Sequence, residues 1–153
     1  MTETSHDIRT LNSLIATTID SVDGYRTSAE AVENTRFADL FTARAGERSS
    51  VAEQLRNEVR KLGGNPEDDG TVLASAHRGF LNLKAAVVDR DDKAIVNEVE
   101  RGEDHIKAKY EEALQDNDLS PSTRSLIEAS FASVKSGHDE MSQLKHSLEA
   151  QGN

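Results

Sequence analysis

The sequence predicts an all-α protein: a four-helix bundle in up-down-down-up order, with a short helix in the long crossover between its second and third long helices. Three observations carry this. Apolar residues recur at helical spacing through four long segments. Aromatic residues make up only 4% of the chain and prolines number two, so sheet formers are too sparse for a β core and helix breakers are rare. The punctuation between the segments is of the helix-capping kind. At 153 residues the chain has the length of one domain, 1–153, with a core over about 6–148.

In the first helix Ile8, Leu11, Ile15, Thr18, Val22, Tyr25, Ala29 and Val32 keep a 3-4-3-4 spacing throughout, a heptad seam that Thr4 or Ser5 can cap. Asn34 caps the second, whose apolar positions are Phe37, Leu40, Phe41, Val51, Leu55, Val59 and Leu62; Gly63-Gly64 ends it. Asn65 to Gly70 reads as a solvated turn. Leu73, Ala76, Phe80, Leu83 and Val87 then give a shorter amphipathic helix, on which His77 lies at the edge of the apolar face as a packing residue. Asp89 to Asp92 breaks this helix and caps the next, which carries Val96, Val99, Ile106, Tyr110 and Leu114. Ser120-Pro121 is a cap followed by proline at the first helical position. The last helix carries Ile127, Phe131, Val134, Met141, Leu144 and Leu148, and the tail frays from Glu149. Seventeen helical residues would reach ~25 Å, enough to carry the chain most of the way back along a bundle. That is the connectivity of ferritin-like folds.

Charge narrows the function. Eighteen basic against 28 acidic residues leave a net charge of −10, so a phosphate backbone is repelled and no nucleic-acid partner is expected. The absence of cysteine excludes disulfides, thiol nucleophiles and thiolate metal sites. There is no apolar run of membrane-spanning length and no secretory signal pattern near the start, so a cytoplasmic protein without a membrane partner is expected. No spacing suggests a Ser-His-Asp triad or a phosphate-cradling loop. His6, His105 and His146 fall on polar faces as solvated residues.

One feature interrupts the core. A helix turns 100° per residue, so each apolar face has a calculable direction. On the second helix the apolar centroid points near Arg44, with Arg48 about 25–30° away and Glu47 on the flank about 75° off. On the helix after the crossover, Glu103 lies about 30° from the centre of the apolar face and Glu100 on its flank. On the last helix His138 is at the edge and Ser130 points further in. Thr18, Ser21 and Tyr25 face the same level from the first helix. The expectation is a polar belt at the waist of the bundle, made of Arg44, Glu47, Arg48, Glu103, His138, Tyr110 and Tyr25. A buried charge requires a partner, so Arg44 or Arg48 should meet Glu103, with Glu47 nearby.

The belt admits two readings. As a metal centre it would use Glu47, Glu100, Glu103 and His138 to hold iron or manganese, with Tyr110 hydrogen-bonding a ligand. Ferritin-like di-iron proteins place an inward Glu on each of two helices and a Glu-x-x-His pair on each of the other two. Here Ser50 follows Glu47 by three residues and Lys135 precedes His138 by three, and two arginines occupy the layer. As a structural layer, the same residues form ion pairs that fix register and topology without any cofactor.

Asn65-Pro66-Glu67-Asp68, His77-Arg78-Gly79-Phe80 with Leu83-Lys84, Glu100-Arg101-Gly102-Glu103-Asp104 and Tyr110-Glu111-Glu112-Ala113-Leu114 together resemble an uncharacterised family of small bacterial four-helix-bundle proteins grouped with the ferritin-like superfamily. Glu47-Arg48, Glu53-Gln54-Leu55, Val134-Lys135 and His138-Asp139 fit the same pattern, so the resemblance spans about 6–148. It implies a bacterial, cytoplasmic, stress-associated protein with no assigned reaction. The sequence thus points to a non-enzymatic accessory or interaction protein, monomeric or homodimeric, with an unidentified protein partner and a degenerate metal site replaced by an Arg/Glu layer. The alternative is a metal-binding relative with oxidase-type or storage activity.

Overall fold

The computed structural model describes residues 2–67 and 91–151, and all regular structure among them is helical. Helix α1 spans Thr2–Ala31, α2 Thr35–Lys61, α3 Asp92–Leu114 and α4 Pro121–Gln151. The expected crossover helix, Leu73 to Val87 with His77, lies outside the described residues.

Each boundary has a local cause. Asn34 sits in extended conformation, and its side chain accepts from the backbone of Arg36 and Phe37 at the start of α2. At the other end Gly63 adopts φ 85°, its N–H donating to Arg60 and that of Gly64 to Val59. These two bonds are a Schellman closure, and its left-handed residue is the reason a glycine stands there. Gly64 is needed separately: a Cβ would come within 2.9 Å of the Ile8 side chain on α1. Asp91 caps α3 through Lys93 N–H, and Ser120 caps α4 through Thr123 N–H. Helix α1 begins two residues before the expected Thr4 cap, and α4 continues past Glu149 to Gln151. Both ends extend because no breaker intervenes.

Contacts between ends fix the topology. The N–H groups of Glu33 and Asn34, after α1, donate to the Asp92 carboxylate at the start of α3. His6, near the start of α1, pairs with Asp116 beyond the end of α3. It is therefore half-buried, not the solvated residue its polar face suggested. Helices α1 and α3 are thus antiparallel, as are α1 and α2 across their three-residue turn. Arg44 reaching Glu140, and Arg48 reaching Val134, set α2 against α4 in the same way. The order is up, down, down, up. Asn12 near the base of α1 bonds Asn65 and Glu67, so the two flanks of the segment 68–90 lie at opposite ends of the bundle.

A second tie closes the base. Asp7 is 1% exposed and accepts from Ser120 N–H and the Thr123 hydroxyl, anchoring the first turn of α4 to α1. The positive end of the α4 dipole favours that carboxylate.

The core comes in two apolar halves. One packs Leu11, Leu14, Ile15, Val51, Leu55, Val59, Ile106, Tyr110, Ile127 and Val134. The other packs Tyr25, Val32, Phe37, Phe41, Ala45, Ile95, Val96 and Met141. Between them lies a charged layer.

Candidate functional site

Arg48 on α2 and Glu103 on α3 meet at the centre of the bundle, 0% and 1% exposed. The pair is bidentate: Arg48 Nη1 donates to Glu103 Oε1 at 2.8 Å and Nη2 to Oε2 at 2.6 Å. Forked geometry of this kind is the strongest that a guanidinium and a carboxylate make. The remaining donors are mostly used. Nη1 also reaches Ser21 Oγ at 2.7 Å and Nη2 the Val134 carbonyl at 3.3 Å, while Nε finds no acceptor among the described residues. The Tyr25 hydroxyl donates to Glu103 Oε1 at 2.8 Å, and its ring lies 5.6 Å from the guanidinium carbon, within cation–π range. All four helices therefore contribute to one layer.

Proton affinities follow from these contacts. Burial works against a charged Arg48, but the Glu103 carboxylate outweighs it, and the guanidinium holds its proton more tightly than usual. Burial, and then the negative charge of Glu103, push the Tyr25 phenol well above its ordinary value. Tyr110 lies one layer lower, its hydroxyl 2.8 Å from that of Thr18, which in turn donates to Leu14 O. Burial pushes its phenol up to about 12.

The space for the guanidinium comes from Gly137 on α4. A Cβ there would lie 2.5 Å from Arg48 Nη2 and 3.3 Å from Glu103 Oε2. Sequence reasoning missed this residue, although a glycine inside a helix with no cap role is a signal of close approach.

Arg44, Glu47 and His138 do not join the buried layer. Arg44 turns outward to Glu140 and Glu47, at 2.8 Å each, on the α2–α4 face. Glu47 is exposed and also accepts from Ser133. The sequence placed Arg44 at the centre because its apolar set counted Leu40 and Leu62, which are only partly buried, and left out Ala45 and Ala52, which are buried. The buried residues of α2 instead are Phe37, Phe41, Ala45, Arg48, Val51, Ala52, Leu55 and Val59. At 100° per residue the mean direction of this set lies within about 5° of Arg48 and about 45° from Arg44.

His138 lies on the α3–α4 face. Its Nε2 is 2.6 Å from Asp104 Oδ1 and its Nδ1 3.3 Å from Asp139 Oδ1. Burial lowers its proton affinity and Lys107 pushes the same way, but the two carboxylates outweigh them, and its pKa is raised. Glu100, mostly covered, faces the same place and meets Lys145 Nζ at 3.4 Å.

In the core, the residues do not fit the dinuclear centre that the ferritin-like fold implies. Both oxygens of Glu103 are committed to Arg48, Glu47 is on the outer face, and a guanidinium stands where cations would be held. A second cation beside it would be repelled.

No helix among the described residues is long and apolar enough to cross a membrane. No curated protein matches the sequence. Among solved structures, the chain is similar to a mutant of Dps1 from Mycobacterium smegmatis, with a TM-score of 0.74 over 94% of this chain and 97% of that one, at 12% sequence identity. The likeness shows the fold, a ferritin-like four-helix bundle. The family model described as Domain of unknown function (DUF2383) matches residues 6–116, which takes in α1 from His6 onward, α2, α3 and the Arg48–Glu103 pair. The chain belongs to that family.

Proposed function

We propose that this protein is a non-enzymatic, stress-associated accessory or interaction protein of the cytoplasm, acting through its surface. In this reading an ion pair holds the centre of the bundle in place of a metal. The observation that supports it is the Arg48–Glu103 fork, which leaves the central carboxylate no free oxygen and fills the layer with a cation that cannot be deprotonated. A centre of this kind offers no open coordination position, which oxidase chemistry at a metal would need.

The test is metal analysis of tag-free protein produced with iron and manganese supplied and then desalted, alongside a Glu103→Gln variant. The expected result is no core-dependent iron or manganese and no oxygen consumption on adding Fe²⁺. Near-stoichiometric metal that chelator removes and Glu103→Gln abolishes would overturn the proposal. With that result in hand, affinity capture from stressed cells is the route to the partner.

A further inference from the structure

The surface of the α3–α4 face carries a second polar cluster, separate from the core pair. Glu100 and Asp104 stand four residues apart, and hence on one face of α3. His138 reaches them from α4. One ligand atom from each of the three lies within 4.8 Å of the other two. Ligand atoms around a tetrahedral ion at ~2.0–2.1 Å are ~3.3 Å apart, so small rotamer changes close the set.

We propose that Glu100, Asp104 and His138 bind a divalent transition-metal ion on the α3–α4 face. One imidazole nitrogen and two carboxylate oxygens are a mixed N/O donor set that suits Zn²⁺ and its first-row neighbours better than Mg²⁺ or Ca²⁺.

Three features support it. First, the Nε2 of His138 is aimed at Asp104 Oδ1 along a 2.6 Å line, so the direction that now carries the hydrogen-bonded proton is the direction a metal would occupy. Binding replaces that proton: an imidazolium gives H⁺ to solvent, and the neutral Nε2 lone pair takes the ion. Second, the other ring nitrogen is held from outside the set. Asp139 Oδ1 lies 3.3 Å from Nδ1, the carboxylate–histidine–metal arrangement that fixes tautomer and ring orientation. Third, the set is half-sheltered. The side chains of Glu100 and His138 are 13% and 15% exposed, while that of Asp104 is 59% exposed, which leaves an open side for water to complete the coordination.

Two cations face the cluster and oppose binding. Lys145 Nζ sits 3.4 Å from Glu100 Oε2, and Lys107 acts on His138. Three carboxylates, from Glu100, Asp104 and Asp139, outnumber them. The lysine–Glu100 contact is long and its stem is flexible, so an incoming ion can displace it.

The experiment is titration of chelator-stripped, tag-free full-length protein with Zn²⁺ by calorimetry, repeated with Co²⁺ to read its visible absorption. The expected result is saturation at about one ion per chain, with His138→Gln and Asp104→Asn each weakening binding by roughly tenfold or more. Lys145→Ala should tighten binding. All three positions are at the surface, and unchanged helical circular dichroism checks that each variant folds. Absence of saturable binding, or wild-type affinity in His138→Gln, would overturn the site. Zn²⁺ binding lost in Glu103→Gln but kept in His138→Gln would place the ion in the core, overturning this inference and the metal-free reading of the centre together. Binding lost in His138→Gln and kept in Glu103→Gln supports the surface site and leaves that reading intact.

Discussion

Removing Glu103 isolates what the central ion pair contributes. Glu103→Ala deletes the acceptor of three hydrogen bonds, two from Arg48 at 2.8 and 2.6 Å and one from Tyr25 at 2.8 Å. The guanidinium, 0% exposed, is left with only Ser21 Oγ and the Val134 carbonyl. Stranding a buried charge in this way costs ~3–5 kcal/mol, against a total stability of ~5–15 kcal/mol for a single domain. Arg48→Met strands the carboxylate with the Tyr25 hydroxyl alone and should cost about the same. The double variant Arg48→Met/Glu103→Ala removes both charges. What it leaves is two unpaired hydroxyls, Ser21 and Tyr25, at ~1–3 kcal/mol each. The double variant should therefore be no worse than either single, with a coupling of ~3–4 kcal/mol across the cycle. Urea unfolding followed by helical circular dichroism, with slopes compared among all four proteins, measures it. A cost below ~1 kcal/mol for Glu103→Ala, or a cycle additive to within ~0.5 kcal/mol, would refute the reasoning.

Both tyrosines of the chain are buried and there is no tryptophan, so alkaline tyrosinate absorbance reports on Tyr25 and Tyr110 alone. With the Tyr110 phenol pushed up to about 12 from an unfolded value of 10, its contribution is fully present below pH 10. That contribution, ~3 kcal/mol, is lost as pH rises through 12. Native protein should show no tyrosinate until it unfolds, and a midpoint near the ordinary phenol value under native conditions would contradict the buried placement. Two glycine substitutions should move stability in opposite directions. Gly46 faces open space, so Gly46→Ala should stabilise by ~0.5–1 kcal/mol, whereas at Gly137 the new methyl meets Arg48 Nη2, and Gly137→Ala should destabilise by ~1–3 kcal/mol. Thermal melts of the two decide it, and a neutral Gly137→Ala would mean that the guanidinium lies elsewhere.

The features legible in the sequence are those whose causes are local. Asn34, Gly63, Asp91 and Ser120-Pro121 each act on backbone groups within a few residues, and each sets a helix boundary, Gly63 an end and the others a start. The directions of Arg48 and Glu103 were legible too, because helical phase alone turns both inward. Phase could not choose between Arg44 and Arg48, since the choice turns on whether Leu40 and Leu62 or the small Ala45 and Ala52 face the core, and hydrophobicity alone ranks the leucines first. Nor could it reveal Asp7, whose partners lie 113 and 116 residues away, or Asp104 as the partner of His138, 34 residues on. Such pairings exist only after the helices dock, and no periodicity carries them.

The central layer and the surface cluster occupy consecutive residues on both α3 and α4, Glu103 beside Asp104 and Gly137 beside His138. Arg48 grips α3 through the Glu103 carboxylate and α4 through the Val134 carbonyl, with its Nη2 seated against Gly137. Sliding α3 past α4 by one turn, ~5.4 Å, would put a side chain where Gly137 leaves room and would break the fork. Leu or Met of similar volume in place of the pair would pack against either register. The charged layer thus gives the bundle a positional constraint that apolar packing lacks, at a desolvation cost the fork offsets. That constraint sets which residues of α3 and α4 face each other outside the core, and the meeting of His138 with Asp104 and Glu100 follows from it. The central arginine bonds both of the helices that present imidazole and carboxylates at the surface.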